Sequence, residues 1–153
     1  MGYSVEVMDA AVRIAPENCE EAVSLFVKLM KKASDDGSGG SWAEGERVAR
    51  FYSWVNTTDV LESLKNPEQS LPGNIADAFS HWGYSFSADP TKGVEWDYRE
   101  RDKWGDDDAL WLALSPCLDE GSFIEFRGEC GHMWRYEFDG NSLQDFVGHI
   151  EWR

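Results

Sequence analysis

At 153 residues, with 42% hydrophobic and 14% aromatic content, the chain can bury a core of its own, which excludes an intrinsically disordered protein. A net charge of −15, from 29 acidic against 14 basic residues, repels nucleic-acid backbones and anionic membrane surfaces and so argues against direct binding to either. The same field attracts basic proteins, including the surfaces with which proteins hold DNA or RNA.

Three cysteines, Cys19, Cys117 and Cys130, make an odd number with no CxxC spacing, which fits a reducing compartment. Met1 to Met8 has neither the basic region nor the apolar run of a signal peptide, and no stretch approaches the roughly 18 apolar residues of a membrane span. The expectation is a cytoplasmic protein, in which the glycosylation-type triplet Asn56-Thr57-Thr58 occurs by chance.

In chain order, Tyr3 to Met8 alternates like a strand and can continue through Val12 and Ile14. Pro16 suits the first turn of a helix, and Asn18 with Glu21 offers a capping box. Ala22, Leu25, Phe26, Leu29, Met30 and Ala33 then fall on one helical face. Asp35 to Ser41 (DDGSGGS) reads as a flexible loop, and Phe51 to Val55 fits either a short strand or the end of a helix from Trp42. Thr58 or Asp59 can cap a short helix carrying Val60, Leu61 and Leu64, stopped by Asn66-Pro67. Ser70 can cap the next, with Leu71, Ile75, Ala78, Phe79 and Trp82 on one face and Gly83 at its end.

After Gly83 the period changes to two. Tyr84 to Ala88 and Gly93 to Arg99 read as a hairpin around Asp89 to Lys92. Alternation puts Val94, Trp96 and Tyr98 on one face of the second strand, with Glu95, Asp97 and Arg99 on the other. Asp106 to Asp108 open a helix of Leu110, Trp111 and Leu114 that Pro116 ends. Three strands follow: Ser122 to Gly128, Met133 to Phe138 and Leu143 to Trp152, joined by turns at Glu129-Cys130-Gly131 and Asp139-Gly140. This order predicts a single α+β domain: an antiparallel sheet of about five to six strands with three to four helices packed on one face.

Signatures of phosphate loops, dinucleotide folds, nucleophile elbows, zincins and EF-hands are absent from the sequence. Cys130 and His132 flank a turn glycine, and a metal there would need further ligands from His81, His149 or the other cysteines. Glu95 and Asp97, followed by Glu100 and Asp102, could bind a cation or act as acid and base, although Arg99, Arg101 and Lys103 interleave with them as on a solvated face. Glu125 and Glu137 with Arg127 and Arg135 suit cross-strand ion pairing. Asp106, Asp107 and Asp108 sit where a helix N-terminus favours negative charge. Trp82, Trp96, Trp111 and Trp134 fall on apolar faces and belong in the core, whereas Trp42 and Trp104, beside glycine and charge, suit an interface.

Gly121 to Gly140, GSFIEFRGECGHMWRYEFDG, follows a helix ending in Ser115-Pro116 and resembles the GSxIxFxGExGxxWRYxF hairpin of small proteins of bacteria, phages and mobile elements that have no assigned activity. The resemblance covers the second half of the chain. It implies an α+β fold and a mobile-element setting, and it carries no functional residue with it.

The function expected from these features is non-enzymatic: an acidic binding or inhibitory protein, of the anti-defence or immunity type, that docks on a basic or nucleic-acid-binding protein without cofactor or metal. Its expected contact residues are Glu95, Asp97, Trp104, Asp106, Asp107 and Asp108. The alternatives are a metal-assisted hydrolase built on the Glu95/Asp97 region with His132 or His81, and a homo-oligomeric structural protein.

Overall fold

The computed structural model describes residues 3–35, 55–100, 103–104 and 107–148. The expected 35–41 loop beyond Asp35, the segment 51–54, and Trp42, Asp106, His149 and Trp152 lie outside the described residues. The first strand, β1 (Tyr3–Ala11), leads almost directly into a short second, β2 (Arg13–Ile14). Pro16 then starts a 3-10 turn that includes Asn18, so Asn18 is part of the lead-in and α1 (Cys19–Asp35) begins after it. The predicted apolar stripe of α1 is the buried one, with Ala22, Phe26, Met30 and Ala33 inaccessible to solvent and Leu25 and Leu29 at its margins.

The next helix, α2 (Thr57–Leu64), starts two to three positions earlier than a cap at Thr58 or Asp59 would put it. Its cap is Asn56, whose side-chain oxygen accepts from the Thr58 and Asp59 N–H groups. Ser70 caps α3 (Leu71–Ser80), as predicted. Gly83, at φ 85°, turns the chain out of this region into the hairpin β3 (Tyr84–Asp89) and β4 (Gly93–Arg99). Gly93 is required at the head of β4: its φ is +92°, and a Cβ there would lie 2.1 Å from the Ile14 carbonyl oxygen. The two-residue β5 (Lys103–Trp104), α4 (Asp107–Leu114) and the meander β6 (Phe123–Gly128), β7 (Met133–Phe138) and β8 (Leu143–Gly148) complete the order.

The α+β class and the antiparallel pairing are as the sequence predicts. The strands form two sheets, however: a five-stranded one in the order β5-β1-β6-β7-β8 and a three-stranded one in the order β2-β4-β3. The β1–β2 segment passes between them. One apolar cluster joins both sheets to the helices, centred on Phe26, Phe79, Trp82, Tyr84 and Trp111. Phe79 stacks on Phe86 at 4.2 Å and on Trp111 at 5.5 Å, so α3, β3 and α4 meet ring to ring. Across the last hairpin Phe126 stacks on Trp134 at 5.2 Å, and Ile124 pairs with Tyr136, the cross-strand match that the alternation predicts. Among the described residues no helix is long and apolar enough to cross a membrane.

The alternation predicted for β4 holds only as far as Asp97. The register passes from Phe86↔Trp96 to Ser85↔Tyr98, which leaves Asp97 as an extra residue. A single extra residue inverts the phase of everything after it. Tyr98 therefore points outward, 49% exposed, and the Arg99 side chain turns inward at 3% exposure. A second irregularity lies on β1, where pairing skips Met8 between Val7 and Asp9.

Candidate partner-binding groove

Both bulged residues, Met8 and Asp97, line one cleft. At the base of β4, Ile14 pairs with Val94 and Arg13 with Glu95, and the Trp96 N–H donates to the Val12 carbonyl at 2.8 Å. Beyond that point β1 and β4 part. A cleft of about 460 Å³ opens between Val5–Ala10 on one side and Trp96–Glu100 on the other. The inverted phase of β4 closes its far end, because Arg99 Nη1–H donates to the Val5 carbonyl at 2.6 Å.

Arg99 is held from beneath by a buried polar group. Its Nη2 lies 3.5 Å from Asp107 Oδ2, Tyr84 Oη–H donates to the same oxygen at 2.6 Å, and Trp111 Nε1–H donates to Tyr84 Oη at 3.4 Å. The guanidinium also sits over the Tyr84 ring, 5.2 Å from its centre. Burial, reinforced by the neighbouring Asp107 carboxylate, pushes the Tyr84 phenol well above its ordinary value, so it remains a hydrogen-bond donor. A buried ion pair supplied with hydrogen bonds in this way fixes geometry more than it adds net stability.

Two further depressions continue the cleft. One of about 420 Å³ shares Ala10 and Trp96 with it and runs past Arg13 and Glu95 to Asp119–Ser122. The next, of about 340 Å³, shares Glu120–Ser122 with the second and ends at Asp139 and Gln144. Along this continuous groove stand Glu6, Asp9, Glu95, Asp97, Glu100, Asp119, Glu120, Glu137 and Asp139, with Arg13, Arg99 and Arg135 as the cations. Each arginine is already engaged. Arg13 Nη1 meets Asp119 at 2.7 Å and its Nε lies 3.7 Å from Glu95, Arg99 meets Asp107, and Arg135 bridges Glu125 and Glu137. Asp9, Asp97, Glu100, Glu120 and Asp139 have no cation within ion-pair distance among the described residues. Among the described residues the groove therefore carries an excess of negative charge.

Of the expected contact residues, Glu95 and Asp97 line the groove. Asp107 does not reach the surface; it is fully buried as the partner of Arg99 and Tyr84. Asp108 is exposed on α4, outside the lining of these three depressions. Trp104 packs edge-on against Phe126 and Trp134 at 5.1 and 5.4 Å, so it serves the core and is only partly exposed. Asp106 lies outside the described residues. The core reading of the other tryptophans fits Trp82 and Trp111, both fully buried, whereas Trp96 and Trp134 are half-buried. Of the expected sheet-face arginines, Arg135 pairs with Glu125 and Glu137, whereas Arg127 pairs with Glu6 across on β1.

The two described histidines are engaged separately: His81 Nε2 lies 3.1 Å from Ser63 Oγ, and His132 stacks on Trp134 at 5.4 Å. Among the described residues no three His, Cys, Asp or Glu side chains come together to hold a metal ion. Cys130 lies beside Tyr3, with Sγ and Oη 2.8 Å apart. Sequence patterning misses Asp9, Asp119, Glu120 and Asp139 as groove residues, since they come from three separate places in the chain and only the tertiary fold aligns them.

No protein-family model, no curated protein and no solved structure matches the chain.

Proposed function

We propose that the protein is a non-enzymatic binding protein whose acidic groove docks on a basic protein surface. One observation carries this reading. Among the described residues, five groove carboxylates have no cation within ion-pair distance, and each arginine beside them already has a carboxylate partner. A channel lined in this way raises the local concentration of cationic groups and steers them inward. Interspersed arginines and ion-paired acids interrupt the negative field, which favours protein docking over a strict imitation of the DNA backbone.

The hairpin resemblance supports a mobile-element setting, in which an acidic inhibitor of a host defence protein or a nuclease-neutralising immunity protein would work in this way. Three free cysteines, two of them buried, support action in a reducing cytosol.

The test uses the wild-type chain and an Asp97→Asn/Glu100→Gln/Glu120→Gln variant as baits in extract of the source cell. A basic protein retained by wild type, released steeply as salt rises and lost by the variant is the expected result. Retention that ignores both salt and the three substitutions would refute the reading.

A further inference from the structure

The first section of the groove differs from the rest in having strand backbone on both sides. β1 pairs with β6 from Val5 to Ala11, but on its other edge with β5 only at Tyr3 and Ser4. β4 pairs with β3 along its length, and with β2 only at Val94 and Glu95. Among the described residues no strand is laid on the other edge of β1 from Val5 to Ala11 or of β4 at Asp97 and Tyr98; on β1 the Val5 carbonyl already accepts from Arg99 and the Ala10 N–H donates to Asp9 Oδ1, which leaves the groups between them. An uncovered strand edge offers N–H and C=O groups in a row, and the group that satisfies such a row is another extended backbone.

The side chains around this section are of two kinds. Asp9, Asp97 and Glu100 are acidic, whereas Met8 and Tyr98 stand 48% and 49% exposed. Apolar side chains of the flexible and aromatic types favour interfaces. In an extended segment successive side chains point to opposite sides, so a strand here would need cations on one side and apolar groups on the other.

We infer that the cleft between β1 and β4 receives an extended segment of the partner, with alternating basic and apolar side chains, laid along the open edge of β1. This inference rests on the proposed function and specifies the form of its ligand. A volume of about 460 Å³ falls within the range of ligand sites and suits a few residues of such a segment. The hydrogen bond from Arg99 to Val5 fixes the spacing of the strands at the closed end.

The probe is a fluorescein-labelled nonapeptide of alternating lysine and valine, followed by fluorescence anisotropy. It is compared with a lysine–glycine peptide of equal length and charge, and with lysine–valine peptides N-methylated along one edge or the other. Expected are binding of the lysine–valine peptide and a loss of about tenfold on methylating one edge only. Asp97→Asn/Glu100→Gln should give a similar loss, and a Glu20→Gln/Glu62→Gln control away from the groove no change. Equal binding of the lysine–glycine or doubly edge-tolerant methylated peptides would mean that charge alone is read. That outcome overturns the strand inference and leaves the proposed function standing. So would binding of the folded basic protein cytochrome c, sensitive to the groove substitutions, with no peptide bound. Failure of both the peptides and the folded protein to bind would overturn both.

Discussion

The Arg99 guanidinium on β4 donates to the Val5 carbonyl on β1 at 2.6 Å, a bond between two sheets that share no strand pairing at that point. Asp107 neutralises it from below, with side-chain exposures of 3% for the arginine and 0% for the aspartate. Arg99→Met should cost about 3–5 kcal/mol, because it leaves the Asp107 carboxylate buried without its cation. Adding Asp107→Leu should recover part of that loss. Urea unfolding of the two single variants and the double variant measures this coupling; strictly additive losses would show that the pair does not act as a unit.

The three thiols are held in different electrostatic conditions. Burial pushes Cys117 up to about 12 and also raises Cys19, whereas a hydrogen bond from Tyr3 draws the exposed Cys130 below its ordinary value. In the folded protein Cys130 should therefore react first with a thiol reagent, and the other two only on unfolding. Tyr3→Phe removes the O–H that stabilises the thiolate, so the labelling rate of Cys130 near neutral pH should fall and its pH profile move upward. An unchanged profile would mean that the Tyr3–Cys130 contact does not persist in solution.

Helix capping gives a clean contrast between two neighbouring positions. Asn56→Ala removes the acceptor for the Thr58 and Asp59 N–H groups and should cost about 1 kcal/mol. Thr58→Ala, which leaves that cap intact, should change stability by no more than about 0.5 kcal/mol. Thermal or urea unfolding of the two variants side by side is sufficient, and the reverse ranking would place the cap at Thr58.

Two exposed aspartates close hairpin loops. Asp89 accepts from the backbone N–H groups of Thr91 and Lys92, and Asp139 from those of Ser142 and Asn141. These bonds hold both carboxyls below the ordinary aspartate value of 3.8. A carboxyl lowered by folding stabilises the fold above its unfolded value, and that contribution is lost as the pH falls through the folded value. Carboxyl-carbon NMR titration should give midpoints below 3.8 for both groups. Asp89→Ala with Asp139→Ala should flatten the loss of stability on acidification; an unchanged acid limb would contradict the assignment.

The sequence by itself determined the types of the longer described elements, the antiparallel α+β class, the buried stripe of α1, the Ser70 cap and the facing rings of the last hairpin. Each of these follows from local periodicity or from residues a few positions apart, where side-chain direction is set by the element itself. It also placed Glu95 and Asp97 on exposed β4 positions, and both line the groove. The division into two sheets, the burial of Asp107 and the inward turn of Arg99 were decided by tertiary structure alone. The inward turn of Arg99 depends on one extra residue at Asp97, within a stretch from Val94 to Arg99 whose apolar–polar alternation is otherwise unbroken. A bulge is a mismatch between two strands, so it is a property of the pair, and neither strand's own pattern contains it. The groove too is tertiary, since its carboxylates come from separate elements that only the folded chain aligns.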